Sequence, residues 1–231
     1  MEEIKKYHDN GQLKEQYHMN DLRCHGEYKE WNENGILVSH KNYIEGDING
    51  ECKLWYDNGT LKAHKHYQFG NLNGECKWWY ENGQIATEVR YVDDHMVGEY
   101  KSWFRDGTPF VFAHYDEKTG MRHGEYKRWY ANGNLYIQCN YVNGKKHGGV
   151  LKFDESGEII ESNYLFVRAD DGGGWKTALD ANCEYNRWYE NGVSDVSKYE
   201  KRYTVAELKT MVGESASVKD LFELLDGLES N

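Results

Sequence analysis

No run of 18 consecutive apolar residues occurs in this chain of 231, so the sequence contains no membrane-spanning helix. The opening stretch, MEEIKKYHDNGQLKEQ, lacks the apolar core of a secretory signal. Basic charge is in deficit: 28 Lys and Arg against 39 Asp and Glu give a net charge of −11. Nucleic acid and anionic membrane surfaces repel such a chain unless a local basic patch overrides the average. Cysteine is sparse and odd in number, with five residues and no C-x-x-C pair. A reduced, cytoplasmic or otherwise intracellular protein is the expectation. There is no G-x-S-x-G, no Walker loop and no dinucleotide fingerprint. No catalytic residue, cofactor or small-molecule substrate is expected.

Proline occurs once, at Pro109, whereas glycine reaches 24 residues and aromatics 15%. That balance suits β-structure with many tight turns and argues against disorder. A unit of 24 residues repeats, clearest as N-G-E-C-K-x-W-Y-x-N-G-x-L/I. Its turn dipeptides are Asn10-Gly11, Asn34-Gly35, Asn58-Gly59, Asn82-Gly83, Asp106-Gly107, Asn132-Gly133 and Ser156-Gly157. Successive glycines are 24, 24, 24, 24, 26 and 24 residues apart. A fixed period in this range signals an open array, and such arrays usually supply surfaces rather than reaction chemistry.

Each unit reads as a β-hairpin. Its first strand runs from glycine to tryptophan, as in Gly50 to Trp55 or Gly124 to Trp129. The second follows Asn-Gly and ends at Tyr43, Tyr67, Tyr91, Tyr115 or Tyr141. Asn-Gly between two such runs predicts a type I′ turn with positive φ at both central residues. Short links such as Glu45-Gly46-Asp47 and Phe69-Gly70-Asn71 reverse the chain again. Apolar residues alternate in the second strand, as in Leu135, Ile137, Cys139 and Tyr141, so one face is buried. The predicted fold is mainly β: an elongated, single-layer antiparallel meander of about seven to eight stacked hairpins, with α-helices at the C-terminus. The two extra residues of the 26-residue unit lie between Asp116 and His123, and the sheet should continue past them.

Stacked units bring equivalent residues into rows about 9.6 Å apart. Trp31, Trp55, Trp79, Trp103 and Trp129, with Tyr56, Tyr80 and Tyr130 beside them, form the candidate binding ladder. Rows of aromatics can clasp a partner, or simply pack a thin sheet. Glu27, Glu51, Glu75, Glu99 and Glu125 line up beside Lys29, Lys53, Lys77, Lys101 and Lys127. Repetition gives these carboxylates equal, neutralised settings, unlike the split environments of an acid–base pair. Two histidines on one strand face, His64 and His66, with His40 one unit earlier, suggest zinc. A third ligand of fixed spacing is not evident, and polar side chains on a solvated face are the expectation, with no metal. Cys52 and Cys76 sit one unit apart, too far for a disulfide, and stand where other units carry tyrosine.

The motif Gly-Glu-Tyr-Lys-x-Trp-Tyr-x-Asn-Gly, as in Gly124 to Gly133, resembles the MORN repeat. The resemblance is to the variant found in YwqK-like proteins of a toxin–antitoxin antitoxin family, and it covers residues 7–164. It implies an open antiparallel sheet without catalytic activity, used as a scaffold, a dimerisation surface or a lipid-contact module. Residues 1–164 are therefore read as the repeat array. In residues 165–203, Arg168 to Gly174 reads as a loop, and Cys183 to Gly192 as a degenerate capping hairpin. Residues 204–231 read as a helical cap or tail, opening on the capping box Thr204-Val-Ala-Glu207. A second box, Ser217 to Asp220, precedes Leu221, Leu224, Leu225 and Leu228 on one helix face. The functional expectation is a non-enzymatic scaffold that binds a protein partner or itself through the aromatic sheet surface. The alternatives are an antitoxin-like inhibitor of a cognate effector and a peripheral lipid-binding module.

Overall fold

The computed structural model describes residues 1–165, 167–169, 175–177 and 200–202, with side chains through residue 160. The chain divides into two compact units, Met1–Thr108 and Pro109–Asn231. In each, strands pair antiparallel in chain order, so the mainly β open meander expected from the repeat is the fold.

The first unit holds β1 (Glu2–Tyr7), β2 (Leu13–Asn20), β3 (Arg23–Trp31), β4 (Leu37–Ile44) and β5 (Asp47–Trp55). It continues with β6 (Leu61–Gln68), β7 (Asn71–Leu72), β8 (Gly74–Trp79), β9 (Ile85–Val92) and β10 (His95–Trp103). β7 and β8 both pair with β6, split at Asn73. The second unit holds β11 (Pro109–Tyr115), β12 (Arg122–Trp129), β13 (Leu135–Val142), β14 (Lys145–Phe153) and β15 (Ile159–Leu165). Past the longer link the ladder continues, with Ala113 opposite Tyr126 and Tyr115 opposite Arg122, as expected. A short strand, β18 (Glu200–Arg202), adds to β15. Arg168 and Ala169, expected in a loop, lie instead in β16 (Val167–Ala169), which pairs with β17 (Trp175–Thr177). Val167 and Trp175 are good strand formers and supply the reason. The degenerate hairpin from Cys183 to Gly192 and the helices after Thr204 lie outside the described residues.

Turn chemistry differs from the expectation in an instructive way. At Asn58-Gly59, Tyr56 N–H donates to Thr60 O at 2.9 Å and Gly59 N–H donates to Tyr56 O at 2.9 Å. Only the glycine is left-handed, at φ +82. This is a type I turn closed by a glycine bulge, a three-residue loop rather than the expected type I′. The asparagine serves through its side chain: Asn58 Oδ1 accepts from Thr60 N–H at 2.9 Å. The I′ pattern of two successive positive φ values falls on the links: Asp21-Leu22, Glu45-Gly46, Phe69-Gly70, Asp93-Asp94 and Asn143-Gly144.

Except at β8, which begins at Gly74, first strands are longer than expected because the motif glycine does not begin them. β5 pairs from Asp47, then shifts register, with Tyr43 opposite Ile48 and Lys41 opposite Cys52. Gly50 lies inside that bulge at φ +88. The alternation then resumes, and one face buries Cys52, Ala63, Cys76 and Val89 in the first unit. In the second unit, Ile137, Cys139, Tyr141 and Val150 form the core, with Tyr126 and Tyr136 against it. Leu151, on the other face of β14, is fully buried as well, where β17 lies alongside the strand.

Candidate functional site

The tryptophans of the ladder end their strands: Trp31 ends β3, Trp55 β5, Trp79 β8, Trp103 β10 and Trp129 β12. All five are half-buried, as are Tyr56, Tyr80 and Tyr130. The tyrosine hydroxyls are committed to structure. Tyr56 OH donates to Trp79 O at 2.8 Å, Tyr80 OH to Trp103 O at 2.8 Å and Tyr130 OH to Phe153 O at 2.9 Å. Each bond joins one repeat to the next, 23 residues away. The turn asparagines repeat the tie: Asn58 Nδ2 donates to Glu81 O at 3.2 Å, and Asn82 Nδ2 to Arg105 O at 2.9 Å. What remains for contact is the ring surface. Cations already cover part of it, with Lys62 over Tyr56 and Arg105 over Tyr80.

Large apolar residues also stand at the link turns. In the first unit Leu22 and Phe69 are exposed, each at positive φ, and Ile44 is exposed beside the next link. In the second, Met121 is exposed in the longer link. Sequence reasoning passed over these residues. For Leu22 the available signal was a bulky side chain where the equivalent positions hold Gly46, Gly70 and Asp94.

The face opposite the cysteine row carries the charged rows. Lys29 pairs with Glu27, Lys53 with Glu51 and Lys101 with Glu99, each at 2.6 Å, and Lys127 pairs with Glu125. Lys77 breaks the row and reaches across to Glu88 at 3.0 Å. Where other repeats set histidine or a neutral residue, the ninth strand offers a nearer carboxylate. Glu27 and Glu51 are held below the usual carboxylate range, chiefly by the lysine hydrogen bond. Burial pushes the thiols of Cys52 and Cys76 up, and that of Cys139 to about 11, so these are inert packing residues.

His64 and His66 do share a face, with ring centroids 4.8 Å apart. The third partner comes from the neighbouring strand. Glu51 lies opposite His66, and its Oε1 is 3.4 Å from His64 Nε2 and 3.9 Å from His66 Nε2. No spacing along one strand could reveal this, because only the β5–β6 register creates it. Burial lowers the pKa of His64 and favours the neutral ring.

Hairpins in chain order, a bulge glycine in each first strand and cross-repeat ties define an open β-repeat array. Five stretches match the family model of the MORN repeat variant: residues 3–21, 25–45, 48–68, 72–93 and 122–143. Those five stretches are similar to that variant, and MORN repeats generally serve as interaction scaffolds and are typically non-enzymatic. The β14–β15 hairpin lies outside the matched stretches yet has the same turn, with Gly157 N–H donating to Asp154 O at 3.0 Å. No curated protein matches the chain. Among solved structures, an S. aureus TarM mutant in complex with fondaparinux, alpha-GlcNAc-glycerol and UDP is 11% identical, over 63% of this chain and 21% of that one. This chain spans about a fifth of that protein's length, and the TM-score of 0.23 supports no inference. Among the described residues, no helix is long and apolar enough to cross a membrane.

Proposed function

We propose that this chain is a non-enzymatic scaffold that binds another protein through the aromatic surface of its repeats. The recurring tryptophan carries the reading: one half-buried indole closes the first strand of five repeats, at Trp31, Trp55, Trp79 and Trp103 in the first unit and at Trp129 in the second. Half-burial leaves ring surface to cover, and tryptophan and tyrosine dominate the energetics of protein interfaces. Exposed Leu22 and Phe69 add apolar area at the link edge of the first unit. A net charge of −11 favours a protein with a neutral or basic surface over nucleic acid or anionic lipid. Inhibition of a cognate effector would be one use of such a surface.

The test combines light scattering of the purified chain with in-cell crosslinking. The same partner should be captured reproducibly by the wild type and lost from Trp55→Leu and from the double variant Leu22→Ser/Phe69→Ser. The exposed pair can change without disturbing the core, so its loss of capture would not reflect unfolding. A strictly monomeric mass together with no crosslinked partner would sink the proposal. Assembly into a defined homo-oligomer would make a second copy the partner.

A further inference from the structure

One hairpin of the array differs from its neighbours in a way that packing does not explain. In the first unit, Glu27 lies opposite Asn42 with His40 two residues along the same strand, Glu51 opposite His66 with His64, and Glu75 opposite Arg90 with Glu88. In the second, Glu125 lies opposite Asn140 with Gln138 two residues along the same strand. A carboxylate with two imidazoles therefore occurs in the β5–β6 hairpin and in none of these others. Its three potential ligand atoms lie within 4.8 Å of one another, a grouping found only here among the described residues.

We propose that Glu51, His64 and His66 form a binding site for one divalent transition-metal ion, with zinc as the reference. The proposal is independent of the scaffold reading. Two further observations support it. His66 Nδ1 makes a 2.8 Å hydrogen bond to Glu75 O, which orients the ring and leaves Nε2 for a ligand. Metal-bound histidines are commonly held this way, with the second nitrogen on a carbonyl or carboxylate. His64 Nε2 is buried without a hydrogen bond, Glu51 Oε1 standing off at 3.4 Å, and His40 Nε2 beside Glu27 is in the same setting without the second imidazole. An orphaned ring nitrogen is costly unless something satisfies it, and a metal ion would.

The donor set fits a borderline cation. Imidazole suits zinc, nickel, copper and cobalt, whereas calcium and magnesium take oxygen ligands. Bonds of about 2.0–2.1 Å place tetrahedral ligands about 3.3 Å apart. The 3.4 Å gap from His64 to Glu51 already matches, whereas the 3.9 Å gap from His66 and the overall spread of 4.8 Å must close by ring movement as the ion enters. Lys53 holds the other carboxylate oxygen, Oε2, at 2.6 Å, leaving Oε1 toward the imidazoles. The lysine charge also opposes a dication, so binding should be weaker than in a closed structural site. With three protein ligands, water completes the shell.

Chelator-stripped full-length protein titrated with Zn²⁺ in a calorimeter, and with Co²⁺ followed by visible absorption, tests the site. The wild type should bind one ion of each with matching stoichiometry, and Mg²⁺ should not compete. His66→Asn installs the residue that Asn42 and Asn140 already supply in other repeats, so the fold accommodates it. It should weaken Zn²⁺ binding by about 10-fold or more. Asn42→His completes the same triad on Glu27 and His40, and should raise the stoichiometry from one to two. A Zn²⁺ isotherm unchanged by His66→Asn, or no binding at millimolar metal, would overturn the proposal. A count that stays at one in Asn42→His would overturn its geometric basis.

Discussion

Tyr80 shows how one residue can both resemble a binding group and serve the fold. Its hydroxyl donates to Trp103 O one repeat onward at 2.8 Å, in a half-buried setting. Tyr80→Phe should therefore cost about 1 kcal/mol in urea unfolding, the usual net worth of such a bond. A variant of unchanged stability would show that water replaces the hydroxyl. Leu22 poses the opposite case. It is 94% exposed at φ +67, where the equivalent links carry Gly46 and Gly70. An L-residue in the left-handed region loses roughly 1–2 kcal/mol, part of which glycine returns as unfolded-state entropy. Leu22→Gly should raise the melting temperature, and on the scaffold reading it should also weaken partner capture. A strained, solvated leucine that contributes nothing to stability is expected where it contributes to function.

At the scale of the element, the turn asparagine separates two roles. Asn82 Oδ1 accepts from Gln84 N–H at 3.1 Å within its own turn, and its Nδ2 donates to Arg105 O in the next. Asp106, in the equivalent place, keeps the first bond, at 2.9 Å from Thr108 N–H, and has no group for the second. Asn82→Asp should lose only the inter-repeat tie, about 1 kcal/mol, and Asn82→Ala about twice that. Equal losses in the two variants would refute the division. The β13–β14 core makes a pH prediction. The thiol of Cys139 is raised from an ordinary 9.0 to about 11 by burial. The folded chain keeps that proton where the unfolded chain releases it. Its contribution is therefore complete below pH 9.0 and falls away as pH rises toward 11. Chemical denaturation across that window should show the decline, and Cys139→Ser should flatten it.

For the molecule, a repeat array implies local coupling. Each repeat contacts its neighbours, so stability is close to a sum of nearest-neighbour terms. Hydrogen exchange in Tyr80→Phe should rise in β8 to β10 and remain unchanged in β1 and β2. A uniform rise across the first unit would instead mean that it opens as one cooperative body. Charge also acts at this scale. With −11 overall, the chain should not co-sediment with anionic vesicles at physiological salt, and binding there would reopen the lipid reading.

The sequence by itself determined the repeat, the hairpins, the alternation that buries Cys76 and Cys139, and the rows of glutamate and lysine. Each is a local or periodic property, written at spacings of 2 and 24 residues. The turn types were legible only in part. Asn-Gly fits more than one hairpin loop, and the choice was made by hydrogen bonds that close a longer loop and bind the asparagine to the next repeat. The tertiary structure alone decided which residues face one another across strands. Register brought Glu51 to His64 and His66, turned Lys77 from its own strand to Glu88 and fixed the tyrosine hydroxyls on the next repeat's main chain. Such meetings depend on the bulge at each motif glycine, which shifts one strand against the next. A shift of one residue changes every opposing pair, and that information lies in the pairing of strands rather than in either strand alone.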